Sequence, residues 1–317
     1  MTPVGHVRPA RRRSGAGKMT IATITLASAG ILAVIPGPAN AAVPPTPAGY
    51  TLRFADDFNG TTGASPNTAN WRFATGRGYP GGAPNWGTGE VETMTSSRVN
   101  SALSNGNLRI TPQRDAAGNW TSARLETNRT DFAAPPGGKL KVDAVIKQPD
   151  VSGAQAAGYW PAFWMLGAAA RPVGATNWPG VGELDIMEAI NGRASMFTAM
   201  HCGVAPGGPC NEFTGLGSGE VSCATCKTAY HRYTLLYDRS VSPERVAWYL
   251  DGRNIHNVYA NQMDATTWRN ALHHGFFIIL NVAMGGGFPA AFGGGPTAAT
   301  VGGRSMLVDY VAVWTSP

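Results

Sequence analysis

Gly182-Glu183-Leu184-Asp185-Ile186-Met187-Glu188 sets three carboxylates among apolar side chains, in a chain of 317 residues that is only 14% charged. Leu184, Ile186 and Met187 mark the segment as central, so an exposed strand whose acids merely solubilise it explains it poorly. Successive side chains of a strand point to opposite faces, which puts Glu183 and Asp185 on the same side. Glu188 joins them only if a β-bulge inserts one residue between Asp185 and Glu188. The spacing therefore predicts a bulged strand presenting three acids on one face.

Around it the chain reads as short strands and turns. Thr51–Phe54, Asn107–Pro112, Trp120–Asn128, Lys139–Lys147, Trp160–Leu166, Gly182–Ile190, Tyr230–Tyr237, Arg245–Asp251, Phe276–Ala283 and Met306–Trp314 all read extended. In Lys139–Lys147 the alternation is explicit: Leu140, Val142, Ala144 and Ile146 share one face, while Lys139, Lys141, Asp143 and Lys147 fall largely on the other. Forty-one glycines and 23 prolines interrupt the chain too often for long helices, and one short helix is expected over Ala265–Ala271. The fold class predicted is all-β, an antiparallel β-sandwich.

Residues 1–41 read as an export signal, with Arg11, Arg12, Arg13 and Lys18 ahead of an apolar run from Ile21 to Ile35 and then Ala39-Asn40-Ala41. Residues 42–317 are expected to form a single domain, secreted and free of a membrane anchor once the leader is cut. The five charges of the leader are all basic, which leaves 20 basic against 19 acidic residues in the remainder. No basic stripe survives there for nucleic acid, and a neutral substrate fits better. Cys202, Cys210, Cys223 and Cys226 lie within 25 positions, and in an exported chain local disulfides are expected, Cys202 with Cys210 and Cys223 with Cys226. Zinc is the rival reading, but these spacings match no ribbon or finger well.

Several motif classes are excluded. Gly285-Gly286-Gly287 and Gly293-Gly294-Gly295 lack the lysine and hydroxyl residue of a phosphate loop. Gly217-Ser218-Gly219 lacks the outer glycines of a nucleophile elbow, and no His-Glu-x-x-His sequence occurs. What remains is the acid cluster. Breaking a glycosidic bond requires one carboxylic acid to protonate the leaving oxygen and one carboxylate to meet the cationic anomeric carbon. With a bulge, Glu183 and Glu188 become an i to i+4 pair with Cα atoms about 13 Å apart, a gap that inward-leaning side chains can close. Asp185 sits between them, and three acids on one face must raise some pKa.

These residues resemble glycoside hydrolase family 16, whose signature Glu-x-Asp-x-x-Glu on a bulged strand is matched by Glu183, Asp185 and Glu188. Phe54-Ala55-Asp56-Asp57-Phe58-Asn59-Gly60 resembles the family's opening strand, with Asp57 where a glutamate is more usual. Trp160-Pro161-Ala162-Phe163-Trp164-Met165-Leu166 resembles its cleft strand and Asp309-Tyr310-Val311-Ala312-Val313-Trp314 its closing strand. The resemblance is closest to the laminarinase branch. It implies a curved concanavalin A-like β-jelly-roll that cleaves β-1,3-glucan by retention, through a covalent glycosyl-enzyme intermediate. Glu183 would be the nucleophile, Glu188 the acid and base, and Asp185 the residue tuning Glu183. Substrate-binding residues would be Asn85, Trp86, Arg124, Trp160, Trp164 and His201, with Thr88 where the family often has a second asparagine. A flat indole face suits the axial C–H groups of a sugar ring, whereas Trp71, Trp248 and Trp314 are expected in the core. The reaction requires no cofactor. Some relatives carry calcium on the convex face, bound by backbone oxygens and one aspartate matched here by Asp309, where it would stabilise rather than catalyse. The partner implied is a β-glucan polysaccharide met by a monomer. The alternatives are the same mechanism on mixed-linkage glucan or a β-galactan, and a carbohydrate-binding lectin on the same fold.

Overall fold

The computed structural model describes residues 42–317, so the expected export segment 1–41 lies outside the described residues. Two eight-stranded antiparallel sheets face each other. The acid-bearing sheet runs Leu216–Gly217, Ser195–His201, Glu183–Glu188, Tyr159–Gly167, Phe276–Met284, Arg124–Thr127 and Trp71–Phe73, with Val221–Ser222 added beside Ser195–His201. The opposite sheet runs Arg253–Tyr259, Arg245–Leu250, His231–Asp238, Lys139–Lys147, Met306–Ser316, Asn107–Ile110 and Ser101–Ser104, with Thr51–Asp56 paired to Met306–Ser316. This is the antiparallel sandwich that the strand pattern implied, and the expected helix spans Ala265–Leu272. Among the described residues no helix is long and apolar enough to cross a membrane.

The core fills the space between the sheets with alternate residues of both. Leu140, Val142, Ala144 and Ile146 are fully buried, against Phe163, Met165, Leu184, Ile278, Leu280 and Val282. Asp143, expected on the outer face, is itself fully buried and held by Lys141 Nζ at 2.7 Å. Its strand is covered on both sides, because Tyr310, Ala312 and Trp314 pack a second apolar layer with Val43, Tyr50 and Ala55. The stretch Trp120–Asn128 is two strands instead of one: Trp120–Ser122 joins a small three-stranded sheet and Arg124–Thr127 the acid-bearing sheet. No composition change marks the break at Ala123.

The bulge is present. Against Ser195–His201, Asp185 faces Ala199 and Glu188 faces Phe197, so three residues of one strand span two of the other. Against Tyr159–Gly167, Met187 faces Phe163 and Asp185 faces Trp164, leaving Ile186 as the extra residue. Glu183 and Glu188 are thus opposite His201 and Phe197, four steps along an unbulged strand, or about 13 Å. Leu184, Ile186 and Met187 are all buried in the core, which a regular alternation could not achieve. A bulge takes a backbone group out of the ladder, and that group needs a partner. Trp248, fully buried on the opposite sheet, donates its indole N–H to the Asp185 carbonyl at 2.9 Å. The strand's start is also constrained. Gly182 has φ +77°, and a Cβ there would lie 2.0 Å from the Ala271 carbonyl oxygen at the end of the helix.

Trp248→Phe removes that donor together with part of the buried indole that stacks on His256, leaving the Asp185 carbonyl buried without it. The expected result is a loss of about 1–3 kcal/mol in chemical unfolding, together with reduced turnover as the acids lose alignment. Unchanged stability and turnover would show that the bulge stands without this hydrogen bond.

Candidate active site

Glu183, Asp185 and Glu188 come together on the outer face of their sheet, opposite to the core-facing Leu184 and Met187. Glu183 and Glu188 are half-buried and Asp185 is buried. His201, on the neighbouring strand directly across from Glu183, points into the cluster. Its Nε2 lies 3.3 Å from Asp185 Oδ2 and 3.9 Å from Glu183 Oε1. The contact with Asp185 is a charge contact more than a well-aligned hydrogen bond, since Oδ2 has no partner of good geometry. At the other end of the strand, Trp160 donates its indole N–H to Glu188 Oε1 at 2.9 Å. Trp160 therefore holds an acid, and Phe288 meets it edge-on at 5.8 Å.

Arg124 lies on the far side of Trp164. Its guanidinium sits 4.7 Å from the Trp164 ring, 4.5 Å from Trp86 and 5.0 Å from Tyr79, all within cation–π range. It donates to the Tyr79 hydroxyl at 2.7 Å and pairs with Glu126 at 3.3 Å, while Tyr79 donates to Glu126 and Arg171 pairs with Glu126 at 3.2 Å. Arg124 is only 4% exposed. A salt-bridged strand surface does not describe it: it is a buried cation that orients three aromatic rings. Trp164 is fixed further by donating to Asn281 Oδ1 at 2.8 Å. Asn85 accepts from Arg77 Nε at 3.0 Å, so its carbonyl is engaged within its own loop. Asn85 and Trp86 both have positive φ, 53° and 56°, which turns the Trp86 ring toward Arg124.

Five tryptophans are buried, namely Trp71, Trp120, Trp248, Trp268 and Trp314, including the three expected in the core. The four that are only half-buried, Trp86, Trp160, Trp164 and Trp178, each contact a residue of the site.

The electrostatics follow from burial. Desolvation, then the charge of Asp185, pushes the Glu183 pKa from 4.5 up to about 8, while the cations His201 and Arg124 pull it back. The same two causes drive Glu188 well above the ordinary carboxylate range, with the Trp160 N–H and His201 opposing them. Burial disfavours a charged His201, but its contacts with Asp185 and Glu212 outweigh this and hold its pKa well above 6.5. His201 lies against Glu183 and Arg124 acts on it from further off, whereas Glu188 feels His201 alone of the two.

The disulfides Cys202–Cys210 and Cys223–Cys226 are both present. His231 is bound to Asp251 at 2.6 Å and to Thr225, away from the acids, and is structural. Asp309 is the extra residue of another bulge, between Val308 and Tyr310, and is 1% exposed. Among the described residues it belongs to no cluster of three or more ligating side chains.

Comparison with known proteins bears on this arrangement. A family model described as XgeA-like, catalytic GH16 domain, matches residues 108–229. The structure of an endo-1,3-beta-glucanase from Streptomyces sioyaensis is 59% identical, with a TM-score of 0.85, over 87% of this chain and 100% of that one. The chain belongs to glycoside hydrolase family 16. Other relatives are more distant. The endo-beta-1,3-glucanase of Pyrococcus furiosus is 32% identical with a TM-score of 0.66, over 84% of this chain and 95% of that one. Glucan endo-1,3-beta-glucosidase A1 of Niallia circulans is 30% identical over 290 residues, 85% of this chain but 38% of that protein's length. The fold is the family 16 jelly-roll, and the protein is a glycoside hydrolase.

Sequence reasoning missed several residues of this family 16 site. Tyr79, Trp178 and Glu212 come from loops with no periodicity to mark them, and Trp248 was assigned to the core for its ring alone. Glu92, outside the acid cluster, is fully buried, accepts from the Met284 N–H at 2.8 Å, and has a pKa raised well above 4.5 by burial and by Glu90.

Because the folded-state pKa of Glu183 is raised, its proton is held more tightly in the folded protein. The stability tied to that proton is fully present below pH about 4.5 and lost as pH rises through about 8. Glu183→Gln, always neutral, escapes that loss. It is expected to melt roughly 2–8 °C above the wild type at pH above 8, with the gap closing below pH 4.5. An equal gap at both ends of the range would show that Glu183 carries no ionisation penalty.

Proposed function

We propose that this glycoside hydrolase is an exported endo-β-1,3-glucanase that acts with retention of configuration. The observation that carries the reading is the one-face arrangement of Glu183, Asp185 and Glu188, with cations at the Glu183 end and the Trp160 N–H at the Glu188 end. The names of the relatives, endo-1,3-beta-glucanases among them, support the substrate class.

In the first step the Glu183 carboxylate attacks the anomeric carbon while protonated Glu188 gives its proton to the departing glycosidic oxygen. In the second, Glu188 takes a proton from water, the oxygen attacks the same carbon, and the bond to Glu183 breaks. Burial and the Asp185 charge raise both acids; the two cations His201 and Arg124 favour the charge on Glu183, which leaves the proton on Glu188. Asp185 fixes His201 beside the nucleophile. The rings of Trp86, Trp160 and Trp164 offer the flat faces on which glucosyl units stack. A calcium ion at Asp309 would stabilise the sandwich and take no part in these steps. The two disulfides suit an oxidising, extracellular setting.

A second reading keeps the mechanism on mixed-linkage glucan or a β-galactan. It is favoured by Thr88, whose hydroxyl donates to Glu90 Oε1 at 2.7 Å and so offers the sugar no amide.

The test is to offer laminarin, mixed-linkage glucan, agarose and β-1,3-galactan, following products by NMR from the first turnovers. Laminarin is expected to be cut fastest, releasing the β-anomer first. An initial α-anomer would overturn retention, and binding without cleavage of any polymer would favour the lectin. Glu183→Ala is expected to lose at least about 10³-fold in kcat while still binding laminarin. Wild-type turnover in that variant would overturn the assignment of roles.

A further inference from the structure

His201 is gripped from behind by a residue outside the signature. Glu212 lies just beyond the loop stapled by Cys202–Cys210, and its side chain has no solvent exposure. Its Oε2 is 2.6 Å from His201 Nδ1, and its Oε1 accepts the backbone N–H of Cys202 at 2.8 Å. Both carboxylate oxygens are therefore engaged, one by the ring and one by the residue that follows it. The other ring nitrogen, Nε2, faces Asp185 and Glu183 at 3.3 and 3.9 Å.

The same segment packs against the ring. A Cβ on Gly215, whose φ is +73°, would lie 2.9 Å from His201 Cε1, so the backbone rests on the imidazole. The Trp178 ring lies 5.5 Å away at 44°, and the exposed Phe213 stacks on Trp178 at 6.0 Å. His201 is held in position by carboxylates on both nitrogens and by these close contacts, and both nitrogens facing carboxylates is the arrangement of a doubly protonated ring.

We propose that Glu212 is a positioning residue for hydrolysis, holding His201 as an imidazolium against Asp185 and Glu183 and so setting the pH range in which the acids work. The proposal rests on the reading of Glu183 and Glu188 as the reacting pair. The groups facing His201 are Asp185 and Glu183 from the acid strand and Glu212 from the loop; Glu188 and Arg124 act on the same acids from further off. The sign follows from distance. Neutralising Glu212 removes a negative charge behind the ring and lets the ring lose its positive charge beside Glu183. The ring is the nearer of the two, and its influence on Glu183 is larger than that of Glu212. Glu183 then becomes harder to ionise.

The experiment is the pH dependence of kcat and KM on laminarin for wild type, Glu212→Gln and Glu183→Ala. Glu212→Gln keeps an acceptor for the Cys202 N–H and loses the charge. Its acid limb in kcat is expected to move to higher pH by about one unit or more, with KM little changed because Glu212 meets no sugar. Unmoved limbs with a uniformly lower kcat would overturn the proposal, as a merely structural role predicts that pattern. Normal turnover in Glu183→Ala would instead remove the reading beneath it. Should Glu212→Gln fail to fold, NMR titration of His201 in the wild type decides: a ring still charged well above pH 6.5 supports the clamp, and titration at 6.5 overturns it.

Discussion

A hydrogen bond across the sandwich, from the Trp248 indole to the Asp185 carbonyl, links the core of this protein to its chemistry. The bulge at Ile186 converts a five-residue separation into a four-step one and turns Glu188 to the face of Glu183 and Asp185. It also lets Leu184, Ile186 and Met187 all reach the core, so packing and site geometry favour the same irregularity. A strand with one more or one less residue here would bury an acid or expose a hydrophobe. The opposite sheet thus supplies more than apolar cover: it satisfies the backbone group that the bulge releases.

Three acids on one half-buried face repel one another, and the surroundings answer with charge placed unevenly. His201 sits beside Asp185 and Glu183, and Arg124 acts on Glu183 from under its three rings. Glu188 has the Trp160 N–H instead of a second cation. Two chemically identical carboxyls are thereby made different, which is what a reaction needing one acid and one base at the same pH demands. The supports lie outside the strand: Tyr79 and Glu126 hold Arg124, Asn281 holds Trp164, and Glu212 holds His201.

The sandwich, the bulge and the three acids could be read from residue order, because alternation and its interruption are local properties. Lys139–Lys147 and the helix at Ala265–Leu272 fall where their patterns put them. The three tryptophans expected in the core, Trp71, Trp248 and Trp314, are buried, and Trp164, placed by resemblance, is half-buried against Arg124. Legibility failed where partners are distant in the chain. Glu212 and Tyr79 are ordinary loop residues until the fold brings them to His201 and Arg124. The break at Ala123 depends on which sheet each half joins. Ser195–His201 is buried at every position, so it has no alternation to betray it, and only its resemblance to a known neighbour strand pointed to His201.

The central claim is that Glu183, brought level with Glu188 by the bulge, forms a bond to the sugar. The most direct test is mass spectrometry of the protein after reaction with an activated 2-deoxy-2-fluoro-β-laminaribioside, which slows release of a glycosyl-enzyme. The account predicts one added disaccharide per chain, mapped to Glu183. A label on Asp185 or Glu188, or steady turnover with no covalent adduct, would contradict it.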